Sequence, residues 1–438
     1  MKQSRILILL LFLLGLAGTL TTNAPVYIRL LYLSLFAVAG SWLWVRISLS
    51  GMQISRRSRT LRANVGDIYD ENFEIANTNR LPCPWLAVEN KTELPAASGS
   101  RLLVNIKHGQ TQSYLARTWL TQRGAFPLGP TSLTAHDPLG LFQKSKDFPA
   151  ASELIVLPLI VPLQSFPAPP GLLPGGKVLR QKSLGITPHA AGVREYAPGD
   201  ALRRIHWATS ARRQQLMVKE FEEDPQAEVW IFLDAYADVQ AALPDAGLAR
   251  YWDGWMLGKR PEFELPPATL EYSVTIAASL AHYFTRERRS VGLIAAGQTH
   301  IAIPADRSIR QEEKILETLA FVKAGKDLPI ESLVRAQAGQ ILSGGSAVIL
   351  TPTVRPELVA AVDELQRRNL HPTVVLLDAA TFGGAEGSKG LEVSLKNLSV
   401  PVFRIKYGDD IGTALSSFQT TNHPRESLLW HMPSIPST

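Results

Sequence analysis

At 438 residues the chain is too long for one ordinary hydrophobic core and suits two or three domains. Apolar residues make up 45% and charged residues 19%, which excludes a disordered chain. The single cysteine, Cys83, excludes an intrachain disulfide framework and a four-cysteine zinc site, and fits a reducing compartment. The net charge of +6 is modest, and much of it flanks the N-terminal apolar segments. That points to membrane orientation and not to nucleic acid.

Two apolar segments open the chain. "ILILLLFLLGLAGTL" (6–20) carries no charge, and "VYIRLLYLSLFAVAGSWLWV" (26–45) carries only Arg29. They predict spans at about 6–22 and 26–45, forming a transmembrane hairpin over residues 1–50. The alternative is a cleaved signal peptide, with Lys2 and Arg5 in front and small residues at Ala17 and Gly18; the second apolar segment, following at once, favours the hairpin. Lys2 and Arg5 precede the first span, and Arg46, Arg56, Arg57, Arg59 and Arg62 follow the second, while the connecting loop has no basic residue. The positive-inside rule then predicts a multi-pass cell-membrane protein with both termini and the soluble domains in the cytoplasm.

Residues 51–163 show short alternating runs between turn residues, such as "WLAVEN", "RLLVNI" and "SYLARTWL". This pattern predicts an all-β antiparallel sandwich of the immunoglobulin or fibronectin type. Asp137 before Pro138 reads as an Asx-type turn initiator. Residues 164–192, including "SFPAPPGLLPGGK", read as a Pro/Gly-rich linker.

From 193 to 425 the periodicity changes. "EVWIFLD", "SVGLIAAG", "SAVILTP" and "HPTVVLLD" read as strands alternating with helices such as "TLEYSVTIAASLAHYFTRERR" and "RPELVAAVDELQRRN". The pattern predicts an α/β domain with a mostly parallel sheet, and "THIAIP" adds an antiparallel edge strand. Glycine-rich phosphate fingerprints are missing, so dinucleotide and P-loop chemistry are poor fits. In such sheets the ligand edge lies at the strand carboxyl ends, where Asp234 and Asp378 fall. The insertion 239–268 is long for a strand-to-helix connection. Its Trp252 and Trp255 mark a surface for a partner, for the membrane interface, or for the flap's own domain. Residues 426–438 form a tail.

The densest stretch is "REYAPGDALRRIHWATSARR" (194–213), within a segment spanning 193–222. Asp200 after Pro198-Gly199 is placed to cap a helix over 201–212, with Leu202, Ile205, Ala208 and Thr209 on one face. Arg203, His206, Trp207 and Ser210 share the other face. "QLMVKEFE" follows as a strand. Three uses stay open. His206 can act as general base for Ser210; Arg203, Arg212 and Arg213 can bind a phosphate or carboxylate; or the arginines pair with Glu195, Glu220 and Glu222 in a docking clasp around Trp207.

These features together resemble the bacterial domain of unknown function 58 family. The resemblance is carried by the N-terminal hydrophobic hairpin, the β region with "RG…GP…DPLGLF", and the segment "VREYAPGDALRRIHWATSARRQQLMVKEFE". It implies a von Willebrand factor A-like (Rossmann-type) C-terminal half, in which a strand ending in D-x-S-x-S opens a divalent-cation site. Here that motif reads Asp234-Ala235-Tyr236-Ala237-Asp238, without either serine. The residues call for no cofactor. The resemblance alone raises Mg²⁺ on a degenerate site of Asp234, Asp238 and Asp378. It also implies a membrane-anchored companion of a MoxR-type AAA+ ATPase. The expectation is therefore a protein-binding scaffold in protein assembly or maturation, touching lipid and a partner protein but not nucleic acid. The rival is a metal-dependent or hydrolytic enzyme using Asp234, Asp378 and His206.

Overall fold

The computed structural model describes residues 2–22, 24–167, 190–197, 205–221, 228–244 and 263–416. They fall into two compact units. One comprises Met1–Ile160, Pro244–Pro267 and Glu313–Val322; the other comprises Val161–Leu243, Ala268–Glu312 and Lys323–Thr438.

The first unit starts with two apolar helices, α1 (Lys2–Thr21) and α2 (Pro25–Ser50). Each is long and apolar enough to cross a bilayer, and together they suggest membrane association. They pack closely because Gly15 and Gly18 leave room: a Cβ at Gly18 would collide with the Tyr27 ring, and one at Gly15 with the Leu31 backbone. Helix α2 runs beyond the expected end at residue 45. At 26 residues it is about 39 Å long, against a hydrocarbon core of about 30 Å. Its last turns bury Val45, Ser48 and Leu49, and Asn79 Nδ2 donates to the terminal carbonyls of Ile47 and Ser48. The helix thus ends in protein, with its carbonyls capped.

Ten strands follow: β1 (Met52–Ser58), β2 (Arg62–Asn64), β3 (Ile68–Asn77), β4 (Cys83–Asn90), β5 (Arg101–Ile106), β6 (Thr111–Trp119), β7 (Gly124–Pro127), β8 (Thr131–His136), β9 (Gln143–Phe148) and β10 (Glu153–Leu157). Antiparallel sheets β1-β3-β6 and β5-β4-β8-β9 enclose one core. Strand β3 alternates strictly and buries Tyr69, Glu71, Phe73, Ile75 and Asn77. Phe73, Ile75 and Tyr114 meet Leu86, Ile106 and Leu133 from the other sheet, and Leu49 and Met52 join them. A smaller sheet, β2-β10-β7, lies over a second cluster that includes Leu120, Leu154 and Phe263.

The family-like motifs of this unit have structural uses. Arg123 of "RG" donates through Nη1 to the carbonyls of Leu319, Ala320 and Val322. Asp137 of "DPLGLF" is buried and accepts from the Leu139 and Phe142 amides at 3.0 and 2.7 Å, which makes the Asx turn. One expectation needs correcting. Arg56, grouped with the basic flank of α2, is instead largely buried, with 11% of its side chain exposed. It makes a two-pronged pair with Glu71, both contacts 2.7 Å, and donates to Asn90 and Thr131. A charge inside the core needs a counter-charge, and Glu71 supplies it.

The second unit holds a hairpin of β11 (Ala190–Glu195) and β12 (Met217–Phe221), with helix α3 (Trp207–Arg213) between them. Its main sheet contains β13 (Val229–Asp234), β14 (Val291–Ala296), β15 (His300–Asp306), β16 (Ser346–Thr351), β17 (His371–Leu377) and β18 (Val402–Ile405). The spatial order is β15-β14-β13-β16-β17-β18, parallel except for β15, which forms the expected hairpin with β14. Strands β13, β14 and β16 are buried at every position, as central parallel strands covered on both faces require. Helices α4 (Thr269–Arg286), α6 (Ile330–Gln337), α7 (Glu357–Arg367), α8 (Ser388–Asn397) and α9 (Ile411–Ser416) connect and follow the strands, while α5 (Ile309–Phe321) begins in this unit and continues in the first from Glu313.

The helix expected over 201–212 is shorter. Residues 201–204 lie outside the described residues. Ile205 makes a β-bridge with Val218, and His206 is the N-cap of α3. Pairing with β12 holds Ile205 extended, so the helix cannot begin before Trp207. Of the four residues expected on one face, Trp207 and Ser210 lie on α3, His206 caps it, and Arg203 lies outside the described residues.

Candidate functional site at the strand ends

The order of the main sheet reverses at β13. From β13 the chain moves to β14 on one side and returns to β16 on the other. In an open parallel sheet this arrangement opens a crevice beyond the carboxyl ends of the two central strands. Asp234 closes β13 at this point and Thr351 closes β16. The Asp234 carboxylate is only 2% exposed. Its Oδ1 accepts from the Tyr236 amide at 3.0 Å, and its Oδ2 accepts from the Thr351 hydroxyl at 2.5 Å. Thr351 Oγ1 in turn accepts from the Thr353 amide at 3.0 Å. Gln240 Nε2 donates to the Asp234 carbonyl at 2.8 Å, and the Thr269 hydroxyl holds Gln240 Oε1 at 2.7 Å.

Around this carboxylate stand two opposite charges. Arg355 lies 3.5 Å from Glu331 Oε1, and its guanidinium sits over the Tyr236 ring, 5.4 Å from the centroid. Glu331 Oε2 is buried with no hydrogen-bond partner among the described residues. Burial pushes the Asp234 carboxyl up to about 6, and the nearby Glu331 charge adds to this. The Thr351 hydroxyl, the Tyr236 amide and Arg355 pull the other way. Thr351, Glu331 and Arg355 were not singled out from sequence. The one local signal was the hydroxyl-rich strand end "LTPT" in a position where a sheet edge holds ligands.

The other expected metal residues lie elsewhere. Asp238 sits on a one-turn helix, is exposed, and stands 3.6 Å from Lys326. Asp378 follows β17 and accepts from the Ser388 hydroxyl at 2.7 Å, at the start of α8. Among the described residues no three His, Cys, Asp or Glu side chains gather as a metal-binding group, so Asp234, Asp238 and Asp378 are not brought together. Both Asp234 oxygens are already engaged and a guanidinium stands nearby. These residues do not fit the divalent-cation site that the resemblance implied.

The signature segment is also committed to structure. His206 Nδ1 accepts from the Thr209 amide at 3.1 Å, and the His206 amide donates to the Met217 carbonyl at 2.7 Å. The Ser210 hydroxyl donates to the His206 carbonyl at 3.0 Å and accepts from the Met217 amide at 2.9 Å. The imidazole and the hydroxyl therefore serve backbone groups and not each other, and no general-base pair is formed. Gln214, at φ +55°, ends α3 in the left-handed region. Trp207 is 68% exposed, and Arg212 and Arg213 are exposed in the last turn. Asp200, Arg203, Trp252 and Trp255 lie outside the described residues.

Comparison with known proteins bears on this same region. The family model described as "Protein of unknown function DUF58" matches residues 192–242, from β11 through α3 and β12 to the turn after Asp234. The chain is 24% identical over 307 residues to the uncharacterized protein YeaD of Bacillus subtilis (strain 168), covering 67% of this chain and 68% of that protein. Among solved structures, it is similar to an aerotolerance-related membrane protein from Bacteroides fragilis NCTC 9343. That match has 16% identity, covers 43% of this chain and 94% of that chain, and has a TM-score of 0.30. A second is proximal thread matrix protein 1 from the mussel byssus, with 12% identity, 44% and 46% coverage, and a TM-score of 0.30. The family resemblance read from the sequence is thus found again by the family model and by the Bacillus relative.

Proposed function

We propose that this chain is a membrane-anchored docking protein of the domain of unknown function 58 type. In this reading the hairpin spans the cell membrane with both termini in the cytoplasm. An immunoglobulin- or fibronectin-like sandwich follows, and a degenerate von Willebrand factor A-like domain carries the binding surface. The partner is a protein, and the family resemblance points to a MoxR-type AAA+ ATPase acting in protein assembly or maturation.

The observation that carries the reading is the contrast within residues 192–242. The polar groups that would do chemistry, Asp234, His206 and Ser210, are engaged by the protein itself. The groups left to solvent, Trp207 with Arg212 and Arg213, are of the kinds that anchor protein interfaces. The test is affinity capture of the full chain from native membranes, with wild type compared with Trp207→Ala/Arg212→Ala. The expected result is co-purification of the ATPase that drops several-fold in the double variant while its thermal unfolding is unchanged. Full retention of the ATPase by a folded variant would sink the interface at α3. Calorimetric Mg²⁺ or Mn²⁺ binding that vanishes in Asp234→Asn would instead support a metal-dependent enzyme.

A further inference from the structure

In the first unit an apolar groove of about 340 Å³ lies between the two apolar helices and the β8–β9 turn. Ile8, Leu9 and Phe12 of α1 face Leu35 and Val38 of α2, and Leu141 and Phe142 close one end. Three observations say what covers it. Leu9, Leu35 and Val38 are exposed along the groove, on helices apolar enough to stand in a bilayer, so its open side faces acyl chains. At its end Arg5 donates through Nε to the Leu141 carbonyl at 2.7 Å, while among the described residues its two Nη nitrogens have no hydrogen bond. The turn's own acid, Asp137, does not compete for Arg5, because both its oxygens hold the Leu139 and Phe142 amides. Arg5 is the charged side chain among the residues that line the groove.

We propose that the groove is a phospholipid site. The lipid phosphate sits on the Arg5 guanidinium, and one acyl chain runs along Ile8, Leu9 and Phe12 against Leu35 and Val38. From Arg5 to Phe12 is seven residues, about 10 Å of helix, which carries a chain from the headgroup level into the hydrocarbon. The guanidinium fork suits a phosphate, and its positive charge favours an anionic headgroup. Leu139, half exposed at the tip of the Asp137 turn, dips into the same interface. The "DPLGLF" turn then serves to seat the β-rich region on lipid. This rests on the reading that the hairpin spans a bilayer.

The experiment uses the full chain in nanodiscs of phosphatidylglycerol and phosphatidylcholine, with a trace of phosphatidylglycerol bearing a diazirine on its acyl chain. After photolysis, mass spectrometry maps the adducts. Adducts are expected to concentrate on residues 8–12, 35–38 and 141–142. They should fall several-fold in Arg5→Gln, and also in Val38→Trp, which fills the groove without touching the charge. Unlabelled phosphatidylglycerol should compete better than phosphatidylcholine. Labelling spread evenly around both helices and indifferent to both variants would overturn the lipid site while leaving the span intact. A chain that alkaline carbonate strips from native membranes would overturn the span and the lipid site together.

Discussion

The two units each bury a carboxylate, and they neutralise it differently. Glu71, inside the β-rich unit, has a dedicated counter-ion: both its oxygens lie 2.7 Å from the Arg56 guanidinium, which also reaches Asn90 and Thr131 on the facing sheet. Asp234, at the edge of the parallel sheet, has a hydroxyl and an amide, and Arg355 only as a neighbour engaged by Glu331. A carboxylate clamped by a full opposite charge acts as a clasp between sheets. Burial raises the Asp234 carboxyl to about 6, and the hydroxyl and amide that hold it offset only part of that rise. The difference separates an acid held by a full counter-charge from one held by a hydroxyl and an amide.

The sharpest way to break this comparison is to remove Glu71. Glu71→Ala leaves the Arg56 guanidinium buried without its partner, and a loss of about 3–5 kcal/mol in unfolding free energy is expected by denaturant titration of the detergent-solubilised chain. A loss below about 1 kcal/mol would show that water reaches Arg56 and that the clasp is not closed. Next comes the pH dependence of Asp234. Its folded pKa lies above the unfolded one, so its stabilisation is complete below about 3.8 and is lost as pH rises through about 6, by about 3 kcal/mol. Asp234→Asn should remove this part of the pH profile, followed through the fluorescence of the buried Trp230 on β13. Identical profiles for variant and wild type would place the titration elsewhere.

Thr351→Val tests the dipoles directly. It deletes the hydroxyl donor to Asp234 and leaves the Thr353 amide without its acceptor, at a cost of about 2 kcal/mol near pH 7. The cost should shrink below pH 5, where Asp234 is protonated, and a pH-independent cost would count against the hydroxyl's role. The smallest effect is expected at Asp238. Its pair with Lys326 is largely exposed, and Asp238→Ala should change stability by no more than about 0.5 kcal/mol. A larger loss would mean that Asp238 contributes to the Asp234 edge after all.

Much of this was legible from local pattern. The two apolar helices, the Asx turn at Asp137, the β14–β15 hairpin and the central strands all announce themselves within about ten residues. What escaped depended on partners far along the chain. Arg56 looks like one more juxtamembrane arginine until Glu71 is placed across from it. Ile205, expected inside a helix, instead pairs with Val218, an extended contact that no helix propensity reveals. His206 and Ser210 sit four apart, as a base and nucleophile would, yet each is claimed by backbone from the adjoining turn and strand.

The sequence by itself determined most element types, the two apolar helices and the place of Asp234 at a strand's carboxyl end. These rest on hydrophobic periodicity and turn chemistry, which act over a few residues. Only the tertiary structure decided which charges were satisfied. Thr351 meets Asp234 across 117 residues of chain, and the Arg5 contact to Leu141 spans 136. Whether a polar group is a clasp, a titratable acid or a free donor depends on its burial and its partners, and the packing of distant segments sets both.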